Sequence, residues 1–270
     1  MTGFDVRDLC WGRESFQLKN NPLFVHLVLF VISGALLKAL LEKGYKPSVM
    51  VGHSLGEVLA VLWGGAFSVE DSLYLIKRRG ELFLQEKEQN KSDMVALIGE
   101  EEQLLECIRS LQEKFEVYVA NYNSKKQIVV SYRKEDYCNI IEIISKSGIK
   151  SVFLNIGNGC HSPFLRNIDR SFSEEVEKLF VRKLDYTVYS VSFNSFYSEE
   201  NLIKEYLKKH MLAPVYWQNA ISNICESYKK EFVILGFSKV MKGLIIENIP
   251  AAKVVYASNL LKENSINKEV

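Results

Sequence analysis

The most confining stretch of this 270-residue chain is Pro47-Ser48-Val49-Met50-Val51-Gly52-His53-Ser54-Leu55-Gly56-Glu57-Val58-Leu59-Ala60. Val49, Met50 and Val51 suit the end of a buried strand, and the residues from Glu57 to Trp63 suit a helix. Between them Gly52-x-Ser54-x-Gly56 fits a sharp strand-to-helix turn that lifts a serine out of the backbone. Strained angles at that serine require small neighbours, and Gly52 and Gly56 leave room for strand and helix to approach. The turn projects Ser54 Oγ outward and aims backbone N–H groups at a helix N-terminus, where negative charge is favoured. Ser54 is therefore a candidate nucleophile and the Leu55 N–H a candidate oxyanion donor. A glycine-rich turn without chemistry fits the bare pattern too; the flanking strand and helix favour the nucleophile.

Composition narrows the rest. The chain is 47% hydrophobic, enough for one large domain with an insertion or two smaller ones. A net charge of +1, without a basic stripe carrying aromatics, argues against a nucleic-acid partner. Five scattered cysteines with no C-x-x-C spacing point to a reduced cytoplasmic protein without disulfides or a metal site. The N-terminus lacks the basic-then-apolar order of a signal peptide. Residues 22–41 are nearly long and apolar enough to span a membrane, but His26, Ser33 and Lys38 interrupt them. A buried helix behind the strand is the better reading, with no membrane involved.

Taken in order, residues 1–20 read as polar and turn-rich. Pro22 suits a helix start, with Gly44 as its stop. Residues 45–51 read as the strand feeding the turn. Ser68-Val69-Glu70-Asp71 fits a capping box opening a helix to about residue 88. Residues 94–157 follow the order β-α-β-β-α-β, a ferredoxin-like pattern of about 60 residues. Beyond them the spacing predicts helices over 162–184, 201–209, 214–228 and 238–247. Strands are predicted over 186–193, 232–235 and 253–257, and the tail after Leu261 reads as frayed.

A serine nucleophile needs a base, and the chain has four histidines. His53 adjoins the serine, so its ring is expected to point elsewhere. His26 lies in the apolar helix and His210 at a helix end. His161 lies in Gly157-Asn158-Gly159-Cys160-His161-Ser162-Pro163-Phe164, a flexible run that can bring an imidazole to a distant serine. By elimination His161 is the best base, with a surface-loop histidine as the alternative.

Gly-His-Ser-Leu-Gly-Glu before an apolar helix resembles the malonyl-CoA:acyl-carrier-protein transacylase family, which includes the acyltransferases of fatty acid and polyketide synthases. Cys160-His161-Ser162-Pro163 resembles that family's catalytic-histidine segment. Arg79-Gly80-Glu81-Leu82-Phe83, 25 residues beyond Ser54, resembles its malonyl-binding segment. Pro214-Val215-Tyr216-Trp217 matches a family Pro-Val-x-Trp, and the resemblance runs from about residue 4 to residue 260. It implies an α/β fold: a parallel-sheet α/β-hydrolase-like catalytic domain, residues 1–93 and 158–270, with a ferredoxin-like insertion over 94–157.

The implied activity moves a malonyl or related group from CoA to the phosphopantetheine thiol of an acyl carrier protein, through an acyl-serine. Malonyl-CoA and the carrier protein would be its partners, and no cofactor is bound beyond the CoA thioester used as substrate. In that scheme Ser54 and His161 act as a pair, with backbone carbonyls orienting the imidazole, and Arg79 holds the malonyl carboxylate with two hydrogen bonds. Two departures from the pattern stand out. Asn158-Gly159, at the positions linked to side-chain selectivity, matches neither usual signature. The family's opening Gly-Gln-Gly-Ser-Gln, whose first glutamine helps form the oxyanion hole, is not in this sequence. Two other functions stay open: a proofreading acyl hydrolase on carrier-bound thioesters, and a catalytically weakened remnant or docking module of a synthase.

Overall fold

The computed structural model describes residues 5–12 and 21–266. The first of these segments is not a turn. Asp5 accepts from the Arg7 N–H and caps helix α1 (Val6–Trp11), which buries Leu9. The expectations for residues 1–4 and 13–20 lie outside the described residues.

Helix α2 (Pro22–Glu42) starts at Asn21, whose side chain accepts from the N–H groups of Leu23 and Phe24. Among the described residues it is the helix long and apolar enough to cross a membrane, and half of its apolar window is buried inside the protein. The strand feeding the turn, β1 (Met50–Val51), is shorter than 45–51. The Tyr45 N–H turns back to the Leu40 carbonyl and Pro47 has no N–H to give, so pairing begins where the Met50 N–H reaches Thr187. Helix α3 (Leu55–Val61) follows and runs into a π turn, Leu62–Ala66. Helix α4 (Val69–Gln89) opens on the expected box: the Ser68 hydroxyl accepts from the Asp71 N–H and donates to its carboxylate. α4 packs along α2.

The next elements are β2 (Ser92–Ile98), α5 (Glu101–Gln112), β3 (Val117–Ser124), β4 (Gln127–Arg133), α6 (Tyr137–Lys146) and β5 (Lys150–Phe153). Their strands form an antiparallel sheet in the order β3-β4-β2-β5, the ferredoxin-like arrangement. Leu104, Ile108 and Leu111 of α5 and Ile140 and Ile144 of α6 cover one face, on Val95, Leu97 and Val130.

Beyond this sheet come α7 (Arg166–Glu177), β6 (Val188–Ser190), β7 (Ser195–Phe196), α8 (Glu200–Lys209), α9 (Trp217–Ser227), β8 (Glu231–Ile234), α10 (Lys239–Asn248), β9 (Lys253–Tyr256) and α11 (Ala257–Ile266). β1 runs parallel to β6, β6 antiparallel to β7, and β8 parallel to β9. Four spans differ from expectation because tertiary partners end or extend them. α7 stops at Glu177, not 184, and the Arg182 and Asp185 N–H groups beyond it bind the carbonyls of Ala66 and Gly64 in the π turn. The strand expected over 186–193 keeps three residues, because the Ser192 N–H goes to the Glu57 carboxylate. α9 begins at Trp217, since Val215 is hydrogen-bonded to Ala120 and Tyr122 around β3. The segment after Leu261, expected to fray, stays helical to Ile266.

The two glycines of the turn are not equivalent. A Cβ on Gly52 would lie 2.0 Å from the Gly56 carbonyl carbon and oxygen, whereas one on Gly56 would meet nothing within 4 Å. The expectation that both side chains must be absent is corrected: Gly52 alone makes the close approach possible. Gly52→Ala should therefore lower stability by about 3 kcal/mol or more, beyond ordinary overpacking. Gly56→Ala should stay within about 1 kcal/mol of the parent, helped by alanine's helix propensity. Urea titration of the two variants checks the contrast; equal losses would refute it.

Candidate active site

Ser54 occupies φ 52 and ψ −115, a conformation that costs a non-glycine residue about 1–3 kcal/mol and persists only where contacts enforce it. His161 also has positive φ, at 54. The structure brings the two side chains together: Ser54 Oγ lies 2.7 Å from His161 Nε2. His161 Nδ1 lies 2.8 Å from the Ala213 carbonyl oxygen. A carbonyl only accepts, so Nδ1 carries the proton and Nε2 turns its lone pair to the serine hydroxyl. A backbone carbonyl stands where many serine sites use a carboxylate. Leu55, the first residue of α3, has an N–H with no partner inside the helix, beside the serine.

His53 points away from the serine, as expected, and its Nε2 lies 2.7 Å from Asn123 Oδ1. The Asn123 amide also donates to Gln127 Oε1, which leaves its oxygen to accept from His53. Two further residues were not singled out from the sequence. Glu57, fully buried on α3, accepts from the hydroxyls of Ser190, Ser192 and Tyr197 and from the Ser192 N–H. His210, also fully buried, places Nε2 3.1 Å from the Ser54 carbonyl oxygen and 3.8 Å from Glu57 Oε2, with its ring edge-on to His161. A carboxylate one residue past the turn, on the side of a helix that must pack inward, was the signal available for Glu57. His210 comes from 156 residues away and left no local trace.

Arg79 is 2% exposed. Burial pulls its guanidinium down to about 10, and among the described residues no carboxylate pairs with it. Nη1 donates to His26 Nε2, Cζ lies 4.4 Å over the Phe83 ring, and Nε has no partner. Its charge reaches the other groups, helping to hold down both His161 and His210. Asn158 and Gly159 border the same region: the Asn158 amide donates to the Phe83 carbonyl, the Gly159 N–H donates to Ser92 Oγ, and Asn158 Oδ1 is unpartnered. Among the described residues, no group of three or more His, Cys, Asp or Glu is placed to hold a metal ion.

The chain has known relatives. The sequence profile of the acyl transferase domain family matches residues 1–260. The chain is 28% identical over 246 residues to the polyketide biosynthesis protein PksE of Bacillus subtilis, covering 90% of this chain and 31% of that one. It is 26% identical over 243 residues to a malonyl CoA-acyl carrier protein transacylase of Bacillus subtilis, covering 89% and 61%. The chain thus spans about a third and about three fifths of these two relatives. The crystal structure of a malonyl CoA-acyl carrier protein transacylase from Clostridium perfringens superposes with a TM-score of 0.87 at 27% identity, covering 99% of this chain and 88% of that one.

All four imidazoles are held neutral. Burial, helped by the Arg79 charge, puts His26 at about 3; burial likewise puts His161 at about 3 and lowers His53 and His210. The unfolded chain takes up these protons below the ordinary value of 6.5, which the fold resists. Stability from the four groups is therefore complete above pH 6.5. It falls as pH drops below 6.5, for His26 and His161 down to about 3 by up to about 1.4 kcal/mol per pH unit each, with His53 and His210 acting in the same direction. Glu57, raised by burial, works in the opposite direction. The urea midpoint should be clearly lower at pH 5.5 than at pH 7.5; a flat or rising midpoint would mean the imidazoles titrate normally in the fold.

Proposed function

The chain belongs to the acyl transferase domain family, and we propose that it moves a malonyl group from CoA to the phosphopantetheine thiol of an acyl carrier protein through an acyl-serine, in the cytoplasm, in polyketide or fatty acid biosynthesis. Residues 1–93 and 158–270 form the catalytic domain in this reading, with 94–157 inserted. The observation that carries the substrate choice is Arg79, a buried cation whose only side-chain hydrogen-bond partner among the described residues is a neutral imidazole. A buried charge without a counter-ion is costly, and a substrate carboxylate supplies the missing partner by two parallel hydrogen bonds. The names of the Bacillus subtilis and Clostridium perfringens transacylases above agree with that choice.

The chemistry then follows from the pair at the turn. His161 Nε2 takes the Ser54 hydroxyl proton while Oγ attacks the thioester carbonyl carbon. The Leu55 N–H donates a hydrogen bond to the carbonyl oxygen on which negative charge gathers. The carbon–sulfur bond breaks, and the CoA sulfur leaves with the proton from His161, giving malonyl-Ser54. The carrier thiol gives its proton to His161 as its sulfur attacks the ester carbonyl carbon; the carbon–Oγ bond breaks, and Ser54 Oγ leaves with the proton returned by His161. The imidazolium formed in each half is buried beside a carbonyl and not a carboxylate, so it is a short-lived proton carrier. The exchange calls for no metal and no cofactor beyond the CoA thioester.

Intact-protein mass spectrometry after brief incubation with malonyl-CoA tests this reading. The parent should gain one malonyl adduct that is absent from Ser54→Ala. Arg79→Ala should acylate from malonyl-CoA about 100-fold more slowly, the loss expected for one desolvated charge pair. An adduct that persists without Ser54 would remove the proposed nucleophile. Free acid accumulating in place of acyl carrier would favour the hydrolase.

A further inference from the structure

His26 sits on the first turns of α2, 53 residues before Arg79 in sequence, and is 5% exposed. Its Nδ1 lies 2.5 Å from the Pro22 carbonyl oxygen. That oxygen only accepts, so Nδ1 carries the proton and Nε2 is left as a lone pair. Arg79 Nη1 donates to that lone pair. The fit is built from both helices. Gly80 has no Cβ, and one placed there would lie 2.7 Å from Leu23 Cα and 3.4 Å from His26 Cβ. α4 can therefore approach α2 at the turn that carries Arg79. Phe83, one helical turn along, closes the other side: its ring lies under the guanidinium and 5.5 Å from the His26 ring.

We propose that His26 is a positioning residue for substrate selection, holding Arg79 through a neutral acceptor so that the guanidinium stays aimed and unneutralised for the carboxylate of the incoming acyl group. The proposal rests on the reading of Arg79 given above. A carboxylate at position 26 would hold the arginine as well, but it would also satisfy its charge and compete with the substrate. An imidazole held neutral orients the fork without occupying it. Pairing through Nη1, with Nε unpartnered, leaves donors for a ligand.

The test compares Ser54 acylation rates from malonyl-CoA and acetyl-CoA in the parent, His26→Leu, His26→Gln, His26→Glu and Arg79→Ala. The acetyl rate serves as the internal measure of an intact fold and intact Ser54–His161 pair. His26→Leu should lose about 10-fold to 100-fold on malonyl-CoA, mostly as a higher KM, with the acetyl rate within about twofold of the parent; that loss is the range for one charge-assisted hydrogen bond. His26→Gln keeps an acceptor and should recover most of the malonyl rate. His26→Glu should collapse the malonyl preference although its carboxylate still holds Arg79, an outcome a purely structural role does not produce. If Arg79→Ala leaves the malonyl-to-acetyl ratio unchanged, the reading of Arg79 itself fails. If Arg79→Ala collapses the ratio while His26→Gln and His26→Glu both keep the parent's ratio, or lose both substrates in equal proportion, the role of His26 is overturned.

Discussion

Ser54 stays at φ 52 and ψ −115 only because its surroundings leave it no alternative. The bare backbone of Gly52 lies against Gly56 from below. His210 reaches the Ser54 carbonyl from α8's end. One residue past Gly56, Glu57 is anchored by four donors in and after β6 and near β7. A buried carboxylate without such donors would be a liability; with them it is a rivet between the turn and the sheet. A single helical turn therefore supplies the serine, the N–H beside it and the anchor that keeps both in place.

The electrostatics of this interior are one-sided. Among the described residues four neutral imidazoles and one guanidinium are buried, while the Glu57 carboxyl group, 3.8 Å from His210 Nε2, is already satisfied by three hydroxyls and the Ser192 N–H. Burial keeps His161 far below its ordinary basicity, so its Nε2 is free to accept a proton at neutral pH and is poorly suited to keep it. Cys160, next in sequence, is pushed up to about 12 by burial and stays a thiol.

What the sequence disclosed was what local rules govern. The turn, the Ser68 cap, the β-α-β-β-α-β order and a histidine in a glycine-rich run all follow from spacing, caps and side-chain type. Element lengths did not, because distant partners cut them. Strand 186–193 loses its end to Glu57, and the helix expected at Pro214 waits for Trp217 because β3 claims Val215. The pairings of Arg79 with His26 and of Ser54 with His210 span 53 and 156 residues and leave no periodic signature. A lone histidine in an apolar helix reads as core until the helix that crosses it is known.

The ferredoxin-like sheet is not a detached flap. Val215 donates to the Ala120 carbonyl and accepts from the Tyr122 N–H, two residues from the Ala213 carbonyl that sets the His161 tautomer. The Asn248 amide donates to the Asn123 carbonyl, the Asn123 side chain receives His53, and the Ser131 hydroxyl donates to the Cys160 carbonyl. The mounting of the imidazole is thus shared between this sheet and the segments around Cys160 and Ala213 that pack on it. For recombination between relatives, crossovers at the edges of this segment leave both Ser54 and His161 outside it yet divide their support. A transplanted sheet inherits the recipient's histidine only if it also brings a β3 edge that matches the recipient's Ala213-Pro214-Val215.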